Sequence, residues 1–161
     1  MIVLVMGVVG AGKTTIGQLL AAKLGWEFVD GDSFHPPANI KKMKRGIPLD
    51  DADRLPWLNA IHDAIVHWVA DHKNVVLACS ALKRSYRDRL VISPEVKIVY
   101  LKGSPEVISQ RLRLRHGHFA TEQLLASQLA TLEVPENAIA VDINQPPPAI
   151  VVDVIAGLGL A

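Results

Sequence analysis

Short apolar runs separated by amphipathic stretches recur along the chain and predict alternating strands and helices. The runs show little polar alternation, which is typical of strands covered on both faces of a parallel sheet. The predicted strands are Ile2–Met6, Trp26–Val29, Val75–Ala78, Ile98–Leu101 and Ala138–Val141. The predicted helices are Thr14–Leu24, Leu55–Asp71, Arg84–Val91, Pro105–Arg115, Thr121–Thr131 and Pro147–Ala156. This alternation indicates an α/β fold with a parallel sheet between two layers of helices.

Length and composition narrow the class of protein. The 161 residues are half hydrophobic and one fifth charged, so we expect one folded domain over 1–161. A net charge of +1 does not favour nucleic-acid binding. Because no apolar run approaches the about 20 residues that cross a bilayer, we expect no membrane span, and the N-terminal run predicts no signal peptide. Cys79 is the single cysteine, which is compatible with a reducing, cytoplasmic compartment.

The glycine-rich segment after the first predicted strand carries the strongest functional signal. It reads Gly-Val-Val-Gly-Ala-Gly-Lys-Thr at 7–14 and matches the phosphate loop G-x-x-x-x-G-K-[ST] between a strand and a helix. Backbone N–H groups of such a loop cradle phosphates, the lysine reaches the β and γ phosphates, and the Thr14 hydroxyl can ligate Mg²⁺. We therefore predict nucleoside triphosphate binding by Gly7, Val8, Val9, Gly10, Ala11, Gly12, Lys13, Thr14 and Thr15.

Two carboxylates follow the second predicted strand in the sequence Asp30-Gly31-Asp32. One carboxylate would hold Mg²⁺ through water, and the other would accept the proton of an attacking hydroxyl. The alternative is an ordinary Asp-Gly turn with solvated side chains. Proximity to the phosphate loop favours the functional interpretation.

Basic side chains at two predicted helix starts indicate an anionic ligand. The acids at 50, 51 and 53 suit helix capping, whereas Arg54 opposes the helix dipole and is a better candidate for binding an anion. The segment Cys-Ser-Ala-Leu-Lys-Arg-Ser-Tyr-Arg at 79–87 indicates either an anion or sugar-acid pocket or a solvated helix start. We expect Cys79 to be a buried strand residue and not a nucleophile.

The sequence allows two interpretations for each of two further segments. His35, before two prolines, would either hydrogen-bond a polyol or simply begin a helix. The basic segment Arg111–Phe119 would be either a mobile lid, with Gly117 as a hinge, or a solvated helix end.

Together these segments resemble the gluconate kinases of the small P-loop type over nearly the whole chain. The most specific carriers are His-Pro-Pro at 35–37, Cys-Ser-Ala-Leu-Lys at 79–83 and Gly-His-Phe at 117–119. Asp53-Arg54, Ala-Thr-Leu-Glu at 130–133 and Asp-Ile-Asn-Gln-Pro at 142–146 support them. The chain departs from the family pattern at Val9 and Ala11, where serines are common, and at Ala120 and Leu129, where larger or aromatic residues are common.

The resemblance implies both an architecture and a reaction. The expected fold is a five-stranded parallel sheet of order 2-3-1-4-5, with a lid at about 113–130. The expected reaction transfers the γ-phosphoryl group of ATP, with Mg²⁺, to the 6-hydroxyl of D-gluconate. Members of the family are commonly dimers, so a homodimer is expected.

The resemblance also implies residue roles. Asp32 would orient or deprotonate the hydroxyl, while Lys13 and Arg115 stabilise charge. Thr14, and Asp30 through water, would hold Mg²⁺. The substrate would contact His35, Arg54, Lys83, Arg87 and the lid residue His118. Adenine would lie between Arg111 and the loop at Gln145 and Pro146.

The sequence is also compatible with two other functions. A basic pocket also suits a kinase for another small acceptor, such as shikimate or a nucleoside, because an anionic substrate need not be gluconate. A nucleotide-dependent switch is the less favoured alternative, because the chain lacks the Asn-Lys-x-Asp and Asp-x-x-Gly motifs of GTPase switches.

Overall fold

The computed structural model describes residues 1–114 and 119–160, with the backbone alone at 119–121. The strands are β1 (Ile2–Met6), β2 (Glu27–Asp30), β3 (Val75–Ala78), β4 (Val96–Lys102) and β5 (Ile139–Asp142). The helices are α1 (Lys13–Leu24), α2 (Pro37–Lys44), α3 (Asp51–Ala70), α4 (Arg84–Leu90), α5 (Pro105–Leu114), α6 (Phe119–Thr131) and α7 (Pro147–Leu158). Within these described ranges, no helix has the length and apolar character needed to cross a membrane.

The strands form one parallel sheet in the order β2-β3-β1-β4-β5, which confirms the predicted order. Leu4 of the central strand pairs with Leu77 on one side and Ile98 on the other. Every residue of β1 is buried, because helices cover both faces of the sheet. The uninterrupted apolar run at the start of the chain is the sequence signature of that position.

Alternate residues of β1 divide between two hydrophobic cores, since successive side chains of a strand point to opposite faces. Val3 and Val5 belong to the core that includes Ile16 of α1 and Val154 of α7. The opposite core contains Ile2, Leu4 and Met6 together with Trp57, Ile61, Ile65 and Leu90. The helices α3 and α4 therefore cover one face of the sheet, and α1 and α7 cover the other.

The predicted start of the long helix at Leu55 is wrong, because α3 begins four residues earlier at Asp51. Asp50 is its N-cap, and its Oδ1 accepts a hydrogen bond from the Asp53 backbone N–H at 2.7 Å. The Asp53 carboxylate accepts from the Asp50 N–H at 3.1 Å in return. This capping box satisfies two N–H groups at the helix start. Polar residues thus extend the helix beyond the apolar spacing from which its start was predicted.

The predicted lid at 113–130 falls on the end of α5 and most of α6. The hinge Gly117 and the two lid residues Arg115 and His118 lie outside the described residues. The α6 helix begins at Phe119, two residues before its predicted start.

Replacing Asp50 with alanine should lower the free energy of unfolding by about 0.5–2 kcal/mol, because the N-cap bond to Asp53 is lost. Asp63→Ala is the matched control: it makes the same substitution at an exposed position in the same helix and should change stability by less than about 0.5 kcal/mol. Urea unfolding followed by circular dichroism measures both. Equal effects of the two variants would contradict the capping assignment.

Candidate active site

A cavity at the carboxyl ends of β1, β2 and β3 brings together half of the predicted site residues. This edge is where ligands bind in open parallel α/β sheets. The phosphate loop forms one side, the residues after β2 and at the start of α3 form another, and α6 closes over them. The lining residues are Val9, Gly10, Gly12, Lys13, Thr14, Thr15, Asp30, Asp32, His35, Met43, Pro48, Leu49, Arg54, Trp57, Ala78, Ser80, Leu124, Ser127 and Gln128.

The phosphate loop presents backbone and a cation to this cavity. Gly12, the residue before α1, has a φ of 98° in the left-handed region that favours glycine, and it turns the loop into the helix. The Lys13 ammonium donates a hydrogen bond to the Val8 carbonyl oxygen at 3.0 Å, so it lies against the loop. Val8 and Ala11 are only 3% and 1% exposed and pack in the core. These two residues and Gly7 therefore support the loop and do not line the cavity.

The helix α6 contacts the phosphate loop through Gln128, a residue that the sequence analysis did not select. Its side-chain Oε1 accepts a hydrogen bond from the Val9 backbone N–H at 2.7 Å. Leu124 and Ser127, one helical turn or less away, also line the cavity. No local pattern signals this contact, because the two partners are 119 positions apart in the chain.

The turn after β2 places Asp32 opposite the phosphate loop. Asp30 Oδ1 accepts a hydrogen bond from the Asp32 N–H at 2.9 Å. The Asp32 side chain is 64% exposed at the cavity. Although much of the side chain stays open to water, the cavity walls partly desolvate its carboxyl group. This desolvation and then the Asp30 carboxylate raise the pKa of Asp32, against the opposing charge of Lys13. Its carboxylate therefore takes up a proton more readily than an ordinary aspartate.

His35 is held rigidly beside Asp32. Its ring stacks on the Trp57 indole, with centroids 4.4 Å apart and planes inclined by 10°, and its Nδ1 lies 3.1 Å from Asn39 Nδ2. Its Nε2 lies 3.9 Å from Asp32 Oδ1. Burial, followed by the Arg54 charge, lowers the pKa of His35 to about 4, although Asp30 acts in the opposite direction. The imidazole is therefore neutral at neutral pH.

Arg54 brings a buried cation to the cavity from the first turns of α3. Its Nη1 donates to the Tyr86 hydroxyl at 3.1 Å, and that hydroxyl donates to the Asp51 carboxylate. Lys83 Nζ donates to the same carboxylate at 2.8 Å, so Lys83 joins this network without lining the cavity. The hydrogen bonds from Lys83 and Tyr86 lower the pKa of Asp51. Because Arg54 contacts a neutral hydroxyl directly, its charge is available to an anion in the cavity.

Arg87 does not line this cavity, although the sequence analysis grouped it with the substrate residues. Its guanidinium donates to the carbonyl oxygens of Ala81, Leu82 and Glu133, at 2.8, 3.1 and 2.8 Å. A planar guanidinium with several donors suits such a cluster of carbonyl groups. Arg87 therefore fastens the segment after α6 to the loop after β3.

Cys79 is buried, as predicted, and is 2% exposed. Burial raises the pKa of its thiol to about 12, so the residue is not a thiolate nucleophile at neutral pH.

The predicted adenine residues lie near one another at a separate position. Arg111 of α5 donates to the Ile143 carbonyl oxygen, and Gln145 follows two residues later. The Gln145 side-chain amide donates to the Asp142 carbonyl oxygen at 2.8 Å and to the Asp153 carboxylate at 3.0 Å. Pro146 is the residue before α7. The structure thus brings Arg111 close to the loop that the sequence analysis placed across the adenine.

The protein oxygens near the phosphate loop fit an octahedral Mg²⁺ that is held mainly by phosphates and water. Thr14 and Asp30 both line the cavity. Among the residues that the structure describes, no group of three or more His, Cys, Asp or Glu side chains could hold a metal alone.

Comparisons with known proteins show which family the chain resembles. The family model for shikimate kinase matches residues 9–139. The gluconokinase of Gluconobacter oxydans (strain 621H) is 52% identical over 81% of this chain and 74% of its own length. The thermoresistant gluconokinase of Escherichia coli (strain K12) is 42% identical over 96% and 91%. A crystal structure of a gluconokinase from Sinorhizobium meliloti 1021 superposes with a TM-score of 0.88 at 46% identity, covering 98% of this chain and 90% of that one.

The buried neutral histidine predicts a specific pH dependence of stability. Between pH 6.5 and about 4 the unfolded chain binds a proton at His35 that the folded chain does not, so this residue lowers stability as the pH falls through that window. His35→Gln should therefore show a shallower loss of its urea midpoint over this range than the wild type. His67→Gln, at an exposed position of α3, should keep the wild-type slope. An unchanged slope in His35→Gln would contradict the neutral, buried state.

Proposed function

Since the chain belongs to the gluconokinase family, we propose that it transfers the γ-phosphoryl group of ATP to the 6-hydroxyl of D-gluconate. The product is 6-phospho-D-gluconate. The observation that carries this proposal is the shared cavity: a phosphate loop, a carboxylate with a raised pKa and a buried arginine face one another there. Such a site provides for a polyphosphate, an attacking hydroxyl and an acidic acceptor at once.

The phosphate side of the cavity stabilises the charge of the transferred group. Phosphoryl transfer needs alignment and charge neutralisation more than covalent chemistry from the protein. Lys13, the amides of the loop and the N-terminus of α1 supply fixed positive potential. Mg²⁺, held by Thr14 and by Asp30 through water, would add charge neutralisation between the β and γ phosphates when it is bound.

The acceptor side orients the attacking hydroxyl. Asp32 would accept the hydrogen bond of this hydroxyl and take its proton as the new bond to the γ-phosphorus forms, while the bond from that phosphorus to the oxygen shared with the β-phosphate breaks and ADP leaves. Arg54 would bind the gluconate carboxylate, and His35 would hydrogen-bond a neighbouring hydroxyl. Lys83 acts through Asp51 and Tyr86, which hold it near Arg54. Arg87 is not among the proposed substrate contacts, because it does not line the cavity and three of its five N–H donors bind backbone carbonyl oxygens.

The nucleotide base and the lid complete the proposal. Adenine would pack between Arg111 and the loop at Gln145 and Pro146, which the Arg111–Ile143 hydrogen bond holds together. Arg115 and His118 would reach the phosphates and the substrate from the lid. These two roles rest on the family resemblance of the segment at 115–119.

We further propose one domain over 1–161, a homodimer and a cytoplasmic location. The family resemblance supports the dimer, and the single cysteine suits a reducing compartment. Light scattering coupled to size-exclusion chromatography gives the molar mass, which should be twice the 17.5 kDa of one chain.

An acceptor panel tests the reaction. With Mg²⁺ and ATP, D-gluconate should give ADP and a phosphate monoester on carbon 6, identified by ³¹P and ¹³C NMR of the product. D-glucitol, which offers similar hydroxyls without the carboxylate, is the matched acceptor and should react poorly, because Arg54 then has no anion to bind. Shikimate and nucleosides complete the panel. Activity with shikimate and none with gluconate would assign the chain to another acceptor.

Replacing Asp32 with asparagine should lower kcat by about 100- to 10,000-fold, because an amide cannot take the proton of the hydroxyl. Calorimetry should show unchanged ATP affinity, since the phosphate loop is intact. Asp63→Asn, at an exposed position of α3, controls for the loss of one negative charge. Near-normal turnover in Asp32→Asn would remove the proposed role of this carboxylate.

A further inference from the structure

We propose that Asn39 is a positioning residue that fixes His35 as the neutral Nε2–H tautomer, with that N–H directed toward Asp32 and the acceptor hydroxyl. The tautomer follows from this chain's own contacts. The use of the Nε2–H by a substrate hydroxyl rests on the proposed function.

The hydrogen bonds of Asn39 determine which ring nitrogen carries the proton. Asn39 Nδ2 donates to the Asp53 carbonyl oxygen at 2.7 Å, and a carbonyl oxygen can only accept, so the atom at this position is the amide nitrogen. The same nitrogen lies 3.1 Å from His35 Nδ1. Its second hydrogen therefore points to Nδ1, which must accept. A neutral imidazole with an accepting Nδ1 carries its proton on Nε2.

The surrounding contacts keep this ring in place. Asn39 is 2% exposed, so water does not compete for its amide. Trp57 stacks on a face of the imidazole and donates its indole N–H to the Gly31 carbonyl oxygen at 2.9 Å. The ring is thus tied to the same turn that carries Asp32.

The resulting pair can bind one hydroxyl with a defined polarity. Nε2 and Asp32 Oδ1 are 3.9 Å apart, which is less than twice a hydrogen-bond length of about 2.8 Å, so one oxygen can lie within reach of both. That hydroxyl would donate to Asp32 and accept from His35. With the proton on Nδ1, both His35 Nε2 and the Asp32 carboxylate would be acceptors. The hydroxyl has one hydrogen and could donate to only one of them.

The surroundings of the His35 ring include groups that raise its pKa and groups that lower it. Burial and then Arg54 from α3 oppose a cationic imidazole, while Asp30 at the end of β2 favours it. Asp32 Oδ1 lies 3.9 Å from Nε2. Asp53 contributes its backbone carbonyl to Asn39, and its carboxylate is paired with Lys42 at 2.8 Å. The pKa of about 4 that results leaves the neutral form, in which the tautomer matters, throughout the neutral range.

Long-range ¹H–¹⁵N correlation spectra of the full chain at pH 7.5 test the tautomer directly. His35, assigned by the signals lost in His35→Gln, should show a protonated Nε2 and a bare Nδ1. His62 provides the internal reference, because its Nδ1 lies 2.7 Å from the Arg89 carbonyl oxygen and should therefore carry the proton. A protonated Nδ1 on His35 would overturn the proposal. This measurement needs neither substrate nor activity, so it stands even if gluconate is not the acceptor.

Asn39→Asp tests the positioning role. The carboxylate is nearly isosteric but accepts, so it should move the proton of His35 to Nδ1 or add a second one there. Activity should fall by up to about 100-fold through misdirected hydrogen bonding. Asn137→Asp, an exposed position away from the cavity, should have no effect on the spectrum or the rate.

A double-mutant cycle separates this role from a general structural one. In a His35→Gln background, Asn39→Asp should cause little further loss of activity, because its effect passes through the histidine. An equal loss in both backgrounds would show that Asn39 acts independently and would overturn the proposal. If Asn39→Asp does not fold, the tautomer in the wild-type chain still decides the assignment.

Discussion

The acceptor side of the cavity depends on a close approach between the turn after β2 and the end of β3. Gly31 lies so near β3 that a Cβ at this position would come within 2.5 Å of the Ala78 carbonyl oxygen, so no other residue fits without a shift of backbone. The Gly31 carbonyl accepts the Trp57 indole N–H. Through that one residue, the turn carrying Asp32, the β3 edge and the helix α3 are held in a fixed relation.

The cavity combines groups of opposite charge in a way that suits phosphoryl transfer. Lys13, at the start of α1, lines it together with Asp30 and Asp32. Arg54 is buried and donates a hydrogen bond to the Tyr86 hydroxyl, which donates to the Asp51 carboxylate. His35, which lies beside Asp32 and is affected by the charge of Arg54, is kept neutral by its surroundings. Its contribution is therefore the direction of a hydrogen bond and not a charge.

Elements and motifs with a local cause were predictable from the sequence. The apolar run of β1 predicted a strand covered on both faces, and the glycine and lysine pattern at 7–14 predicted the phosphate loop. The carboxylates of Asp30 and Asp32 could be placed near the phosphate loop, because the carboxyl ends of parallel strands lie at the same edge of the sheet. The start of α3 was missed because the apolar spacing begins at Leu55, whereas the capping box depends on Asp50 and Asp53.

Contacts between distant parts of the chain were not predictable. In the sequence, Arg87 is a basic residue near the end of a predicted strand. Only the tertiary structure shows that the backbone carbonyl oxygen of Glu133, 46 positions away, accepts a hydrogen bond from it. Asn39 and Asp53 likewise meet only after α2 has folded against the start of α3. Polar residues of this kind give no periodic signal, so their partners become visible only in three dimensions.

Because the Val9 backbone N–H donates to Gln128 of α6, the glutamine oxygen and an incoming anion would compete for one donor of the phosphate loop. An amide has a single hydrogen, so an incoming anion that engages this N–H must displace the glutamine oxygen from it. Filling of the loop and release of this anchor of α6 are then one exchange reaction. The hydrogen bond between Gln128 and Val9 would therefore oppose anion binding at this N–H. It would form again when the anion leaves.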